Sequence, residues 1–398
     1  MSAEENKQIS ILIPEASASG MIAVIRSLGR AGYSTHAVSS SEDALGLYSN
    51  FAVATAVHPP YGADEFVQWL RSYIHDNSID LIVPSEGFYL AIQSYYDEFA
   101  SKIAVGSGYD SVYQCLSKTS VFDLFLAAGG GAAQSIPPSL VVDNEGRNSV
   151  EQFAAAHAPP YYLKGDGTHH KRGANSVVTR ADDKNRLIEI ADDLLNDYDK
   201  ILIQGSVDGV KATVNVCFHK GKLLADSMAI AEHENPHTGG LTSLRKSWWH
   251  EDIYKDALYR LELLHWDGPA MMEYKWDASN ERFYFIEINS RYWAALHLDL
   301  FAGRDFPRLQ IAHILGQTIP PQLGPLPPTT CCLHTPAEAG HVISIAKDRQ
   351  IPIIRKFKTV VQFGVSLIDP RVHSDYFFPG DRALFFRSFG RFILGLFR

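Results

Sequence analysis

The sequence predicts an α/β protein that opens with a doubly wound parallel domain and continues into antiparallel strand pairs. Three observations predict it. Short apolar runs alternate with helical periods through the first quarter of the chain. Long strand-like segments at 210–219 and 222–231 meet at Lys220-Gly221, as a hairpin does. Two further runs, 270–276 and 282–289, flank a polar turn at 277–281.

The elements follow in order. Residues 9–13 are a buried strand, 21–31 a helix stopped by Gly32, and 34–38 a second strand. A helix at 66–75, a strand at 79–84, a helix at 88–99 and a strand at 102–105 complete the parallel unit. Lys118 begins a helix at 117–128, followed by a flexible Gly129-Gly130-Gly131. Strands at 161–164 and 176–180 flank a polar, glycine-bearing loop at 165–175, and 200–204 is another strand. Residues 232–242 read as a mobile polar loop, 251–264 as a helix and 296–315 as a helical stretch. Five prolines within 320–328 mark a linker or wrapping arm.

Composition bounds the function. The chain has 398 residues, 36 Lys and Arg, and 45 Asp and Glu, a net charge of −9. Nothing global attracts nucleic acid, and the apolar content of 46% is that of a globular protein. Four cysteines without a CxxC pair, two of them the adjacent Cys331 and Cys332, point to a reduced, cytoplasmic setting. The polar N-terminus is no signal peptide, and no run of 18 apolar residues predicts a membrane span.

The chemistry concentrates on the last strand pair. In RFYFIEIN, alternation puts Phe283, Phe285, Glu287 and Asn289 on one face. The turn length places Glu273, in MMEYKW, opposite Glu287. Two carboxylates and an amide oxygen form a hard donor set suited to Mg²⁺; the alternative is a pair of solvated carboxylates on an exposed sheet face. Arg291, two residues on, is placed to take phosphate oxygens. Lys164 leads into the 165–175 loop, whose amides could cover phosphates with help from Lys171 and Arg172. His169 and His170 point to opposite sides of an extended chain and read as loop residues. Arg245 is either a solvated arginine or a ligand for a substrate carboxylate.

The order of these features resembles the ATP-grasp superfamily, over about residues 9–316. The resemblance rests on Lys118 in LSKTSVFDLF, Lys164 in PPYYLKGDG, the hinge ILIQGSVDG, Trp266-Asp267-Gly268 leading to Glu273, and Glu287-Ile288-Asn289-Ser290-Arg291. FIEINSRYWAALHLDLFAGRDFP and Pro236-His237-Thr238-Gly239-Gly240 are similar to the carboxylate–amine ligase branch. Gly205 stands where many members carry glutamate, and Ser290 where proline is usual.

The resemblance implies a pre-grasp α/β domain at 1–113, a small lobe at 114–200, a large lobe at 201–319 and an extension at 320–398. It implies ATP held by Lys118, Lys164 and the hinge Gln204, Gly205, Ser206 and Val207. Mg²⁺, or Mn²⁺, would sit on Glu273, Glu287 and Asn289, with Arg291 on the acyl phosphate or γ-phosphate. Gly239 and Gly240 would lie in a substrate loop, and segments 165–175 and 232–242 would act as lids. The implied activity is amide or peptide bond formation between a small carboxylate and an amine, one of them an amino acid. Carboxylation, phosphotransfer and non-catalytic nucleotide binding are the alternatives. A homodimer is the default assembly.

The C-terminal stretch 382–398 is aromatic and basic, and a helix would align Arg387, Arg391 and Arg398 on one face. Either it docks on the core or it lies on a membrane surface as a peripheral contact.

Overall fold

The computed structural model describes residues 8–172 and 176–396. Among the described residues, three sheets carry the fold. The first is parallel, with strands β1 (Ser10–Ile13), β2 (Ser34–Ser39), β3 (Ala54–Val57) and β4 (Leu81–Ile82) in the order β3-β2-β1-β4. β1 is buried on both faces: Ile11 and Ile13 join Val24 and Leu28 of helix Ser19–Arg30 in one cluster, and Leu12 joins Phe66 and Leu70 of helix Glu65–Asp76 in another. Helix Ser19–Arg30 also meets the large lobe: a Cβ at Gly20 would stand 2.5 Å from the Trp293 carbonyl oxygen. The expected strand at 102–105 contributes one bridge, Ile82 with Ile103. The β3 segment went unanticipated because it is a short edge strand with half of its side chains in water.

The second sheet forms the small lobe: β5 (Ser139–Asp143), β6 (Tyr161–Gly165), β7 (Val177–Ala181) and β8 (Lys200–Gly205), in the antiparallel order β5-β8-β6-β7. Tyr161, Leu163, Ile201 and Ile203 turn inward against helix Lys184–Asp197. Gly130 and Gly131, expected to be flexible, begin a short helix, Gly130–Gln134.

The third sheet, in the large lobe, holds β9 (Val210–His219), β10 (Lys222–Asn235), β11 (Leu241–Ser247), β12 (Pro269–Asp277), β13 (Arg282–Asn289), β14 (Thr330–Cys332) and β15 (Val372–Ser374), ordered β13-β12-β9-β10-β11-β14-β15. Residues 232–242 are therefore mostly not a loop. β10 runs through Asn235, β11 begins at Leu241, and what remains is the turn 236–240. The helical stretch at 296–315 divides into His297–Phe301 and Phe306–Ile314, with Gly303 at φ +84° between them.

The extension is more than an arm. β14 and β15 lengthen the large sheet; helices Ala339–Lys347 and Ile353–Ser366 lie between them in the chain, and helix Ala383–Leu396 follows. Two buried ion pairs fasten it. Asp375 takes a two-pronged grip from Arg245 at 2.8 and 2.9 Å, and Asp381 accepts from Arg26 of the N-terminal domain at 2.8 Å. Among the described residues no helix is long and apolar enough to cross a membrane.

Candidate active site between the two lobes

A cleft of about 590 Å³ separates the small-lobe sheet from the large one. Strand alternation decides what faces it. On β6, Tyr162 and Lys164 look into the cleft while Tyr161 and Leu163 enter the small-lobe core. On β8, Gln204 faces the cleft and leads into Gly205, Ser206 and Val207. The hinge is anchored by its own backbone: Gly205 N–H donates to Pro138 O at 2.8 Å and Ser206 N–H to Pro160 O at 3.1 Å.

The floor comes from β9, β12 and β13. Glu273 pairs directly with Glu287 across the hairpin, as the turn length predicted. The ladder then slips by one residue, so Tyr274 opposes Phe285 and Ile286 is the extra residue of a bulge. The expected shared face of Phe283, Phe285, Glu287 and Asn289 is thereby corrected. Phe285 turns into the core against Phe122, Phe125 and Tyr274, while Ile286 and Glu287 both reach the cleft. Asn289 lies beyond, its Nδ2 donating to Glu287 Oε1 at 3.4 Å and its Oδ1 accepting from Arg291 at 3.0 Å.

Three lysines surround the two carboxylates. Lys118 heads helix Lys118–Ala128, and its Nζ lies 3.7 Å from Glu287 Oε2. Asp166 steadies this end of the helix, accepting from the Thr119 N–H at 3.3 Å. Lys164 is buried beside it. Lys211, not foreseen as a site residue, stands 3.2 Å from both Glu234 and Glu273 and donates to Gly240 O at 2.7 Å. Its strand, VKATVNV, alternates cleanly, but only the non-local pairing of β9 with β12 brings Lys211 to Glu273. Lys275, also on this face, lies 3.6 Å from Glu234.

These charges set each other's protonation. Burial pushes the Glu287 carboxyl up, but Lys118, Lys164 and Lys211 outweigh it and hold the group below its ordinary range. Glu273 is raised by burial, with Lys211 opposing and Glu287 adding. Burial pulls Lys164 below an ordinary lysine, and its neighbours Lys118 and Lys211 add to that. Lys118 is shifted upward, because Glu287, Glu86 and Asp166 overcome its own burial.

The donor set fits a small hard cation. Glu273 and Glu287 face each other across one hairpin and Asn289 follows two residues on, so the three offer two carboxylates and an amide oxygen.

Gly239 and Gly240 lie on the rim of the cleft in the 236–240 turn. Gly240 has φ +157°, and a Cβ there would approach Asn235 O to 2.3 Å. Arg291 faces a second recess, about 380 Å³, shared with Glu15, Ser85, Glu86 and Gly87 of the N-terminal domain. Its guanidinium reaches Glu86 at 3.2 Å and the Tyr292 carbonyl at 3.1 Å.

Three expected site residues are placed elsewhere. Lys171 donates to Leu195 O at 2.7 Å, because the exposed carbonyls ending helix Lys184–Asp197 attract an ammonium group. Arg172 is exposed and does not line the cleft. Gly173, Ala174 and Asn175 of the expected covering loop lie outside the described residues, as does Arg398. Arg245 is neither solvated nor free to take a substrate carboxylate, since both of its terminal nitrogens are on Asp375.

No family model matches this sequence, and no curated relative does. Solved structures do. A biotin carboxylase–β,γ-ATP complex from Campylobacter jejuni superposes with TM-score 0.61 at 16% identity, over 81% of this chain and 74% of that one. N5-carboxyaminoimidazole synthetase from Staphylococcus aureus, complexed with ADP, matches with TM-score 0.60 at 15% identity over 81% of both chains. Phosphoribosylglycinamide synthetase from Anaerococcus prevotii matches with TM-score 0.55 at 14% identity, over 78% and 76%. At these identities the likeness establishes the fold, and the fold is ATP-grasp.

Proposed function

We propose that the chain is an ATP-dependent carboxylate–amine ligase that works through an acyl phosphate. The observation that carries this reading is the convergence of Lys118, Lys164 and Lys211 on the Glu273–Glu287 pair in one inter-lobe cleft. Nucleotide-bound neighbours of the same fold support it.

A carboxylate resists attack because oxide is a prohibitive leaving group. Its oxygen instead attacks the γ-phosphorus of ATP, the bond to the β-phosphate oxygen breaks, and ADP leaves. The protein's part is positioning and charge neutralisation. The hinge at Gln204–Val207 receives the base, and Lys164 and Lys118 neutralise the phosphates. A magnesium or manganese ion held by Glu273, Glu287 and Asn289 would supply further charge compensation there. Arg291, at the mouth of the second recess, holds the transferred phosphoryl group on the acyl side. The amine then attacks the carbonyl carbon, phosphate departs, and the nitrogen gives up a proton. Lys211 pins the Gly240 turn against Glu234 and Glu273, which keeps that rim closed over a water-sensitive intermediate.

A phosphate-release screen with ATP, small carboxylic acids and amino acids tests the reading. The expected result is ADP and phosphate formation that requires both an acid and an amine, with an amide as product. ADP formation driven by bicarbonate alone, or phosphoryl transfer without an amide, would replace this reading with carboxylation or phosphotransfer.

A further inference from the structure

Two helices of the extension are inside out for a surface facing water. Helix Ile353–Ser366 carries apolar residues at 353, 354, 357, 360, 361 and 365, one helical face, and Ile368 continues it. That face looks outward: Ile353 is 81% exposed, Ile354 77%, Phe357 70% and Ile368 82%. The opposite face, with Arg355, Lys358, Thr359 and Gln362, turns towards the protein. It lines a recess of about 410 Å³ that shares Lys211 and Glu234 with the inter-lobe cleft.

Helix Ala383–Leu396 repeats the pattern. Leu384 is buried, Arg387 lies over the Tyr48 ring at 3.3 Å, and Arg391 bonds Asp43 at 3.2 Å, while Phe386 and Leu394 are exposed. The expected alignment of Arg387 and Arg391 is real, but it serves docking on the N-terminal domain. His334 sits where the two helices meet, its ring 6.2 Å from both Phe363 and Phe385.

Single exposed apolar residues are ordinary; a helix-long apolar face is not. Charge identifies what covers it. Residues 339–398 hold ten Lys and Arg against four Asp, although the whole chain has 36 basic and 45 acidic residues. Arg349 and Arg371, just beyond the two ends of the 353–368 segment, are exposed. A second copy would set one cationic face against another. An anionic bilayer satisfies both the apolar and the cationic groups. We propose that this extension docks on anionic lipid, with the 353–368 segment lying in the plane of the bilayer interface.

Vesicle flotation tests it. The full chain is expected to float with phosphatidylglycerol-containing vesicles, to stay down with pure phosphatidylcholine, and to detach in high salt. A triple variant, Ile354→Ser, Phe357→Ser and Ile368→Ser, is expected to bind the anionic vesicles at least about tenfold more weakly. These side chains support nothing in the fold, so its circular dichroism and ATP binding should be unchanged. Failure of the full chain to float with anionic vesicles would overturn the proposal, and so would equal flotation of the variant. A dimer in sedimentation that the triple variant dissolves, without vesicle binding, would assign the face to a second copy instead.

Discussion

Lys211 holds three acceptors, one each from β10, β12 and the 236–240 turn, and so ties those segments together at the cleft. Replacing it with methionine removes the cation that Glu234 and Glu273 share, leaving only Lys275 beside Glu234. ATP affinity is expected to fall about tenfold or more in Lys211→Met, the worth of one charge-assisted hydrogen bond. Titration calorimetry checks this, and unchanged affinity would remove Lys211 from the site. Glu287→Gln is expected to lower turnover on the order of 10²–10³-fold while the thermal midpoint stays within a few degrees. Undiminished Mg²⁺-dependent ADP formation would reject the metal assignment. At this scale the sequence was legible where the signal was local. Glu273 and Glu287 are readable from alternation and a short turn; Lys211 needs knowledge of which strand lies beside β12.

At the scale of the element, the bulge at Ile286 does what a regular strand could not. It lets Phe285 enter the core while Glu287 faces the cleft. A one-residue slip of this kind leaves no mark in an alternating sequence such as RFYFIEIN, so the reading of Phe285 failed there. The extension was equally hard to read, because β14 and β15 are three residues each, too short to show a period. Its attachment can be tested. Asp375→Ala strands the buried Arg245 guanidinium and is expected to cost about 3–5 kcal/mol in urea denaturation; a loss under about 1 kcal/mol would contradict an anchoring role.

A further anchor, beyond the two buried ion pairs, responds to pH. Glu338 accepts from His233 at 2.7 Å, and this bond raises the imidazole pKa against the opposing effect of burial. A raised histidine stabilises fully below its ordinary value of 6.5, and that contribution is lost as pH rises through the raised value. Burial lifts Glu338, but His233 and Ser243 bring it down overall, so its own contribution is lost only towards acid. Amide exchange in helix Ala339–Lys347 is therefore expected to quicken above neutrality, by about 1 kcal/mol of local stability. Exchange independent of pH, after correction for intrinsic rates, would show that the pair does not hold the helix.

At the scale of the whole molecule, two lobes flank a cleft of about 590 Å³, an α/β domain adjoins them at a second recess, and the motifs foretold that fold. They foretold it because Lys118, Lys164, the hinge and the acidic hairpin occur in a fixed order along the chain. The extension carries no such motif, and its pairing with the N-terminal domain through Arg26 and Asp381 spans nearly the whole sequence. If the cleft binds ATP as proposed, ATP should also stabilise the fold, by about 2.7 kcal/mol at a hundred times Kd. The central claim, that two carboxylates and a set of lysines grip a magnesium-bound triphosphate between the lobes, is tested most directly by calorimetric titration of ATP into the full chain. It should be run with and without Mg²⁺, beside Lys164→Ala and the double variant Glu273→Gln, Glu287→Gln. The account predicts magnesium-dependent binding that weakens at least about tenfold in Lys164→Ala and loses its magnesium dependence in the double variant. Equal binding in all three proteins, with or without the metal, would contradict it.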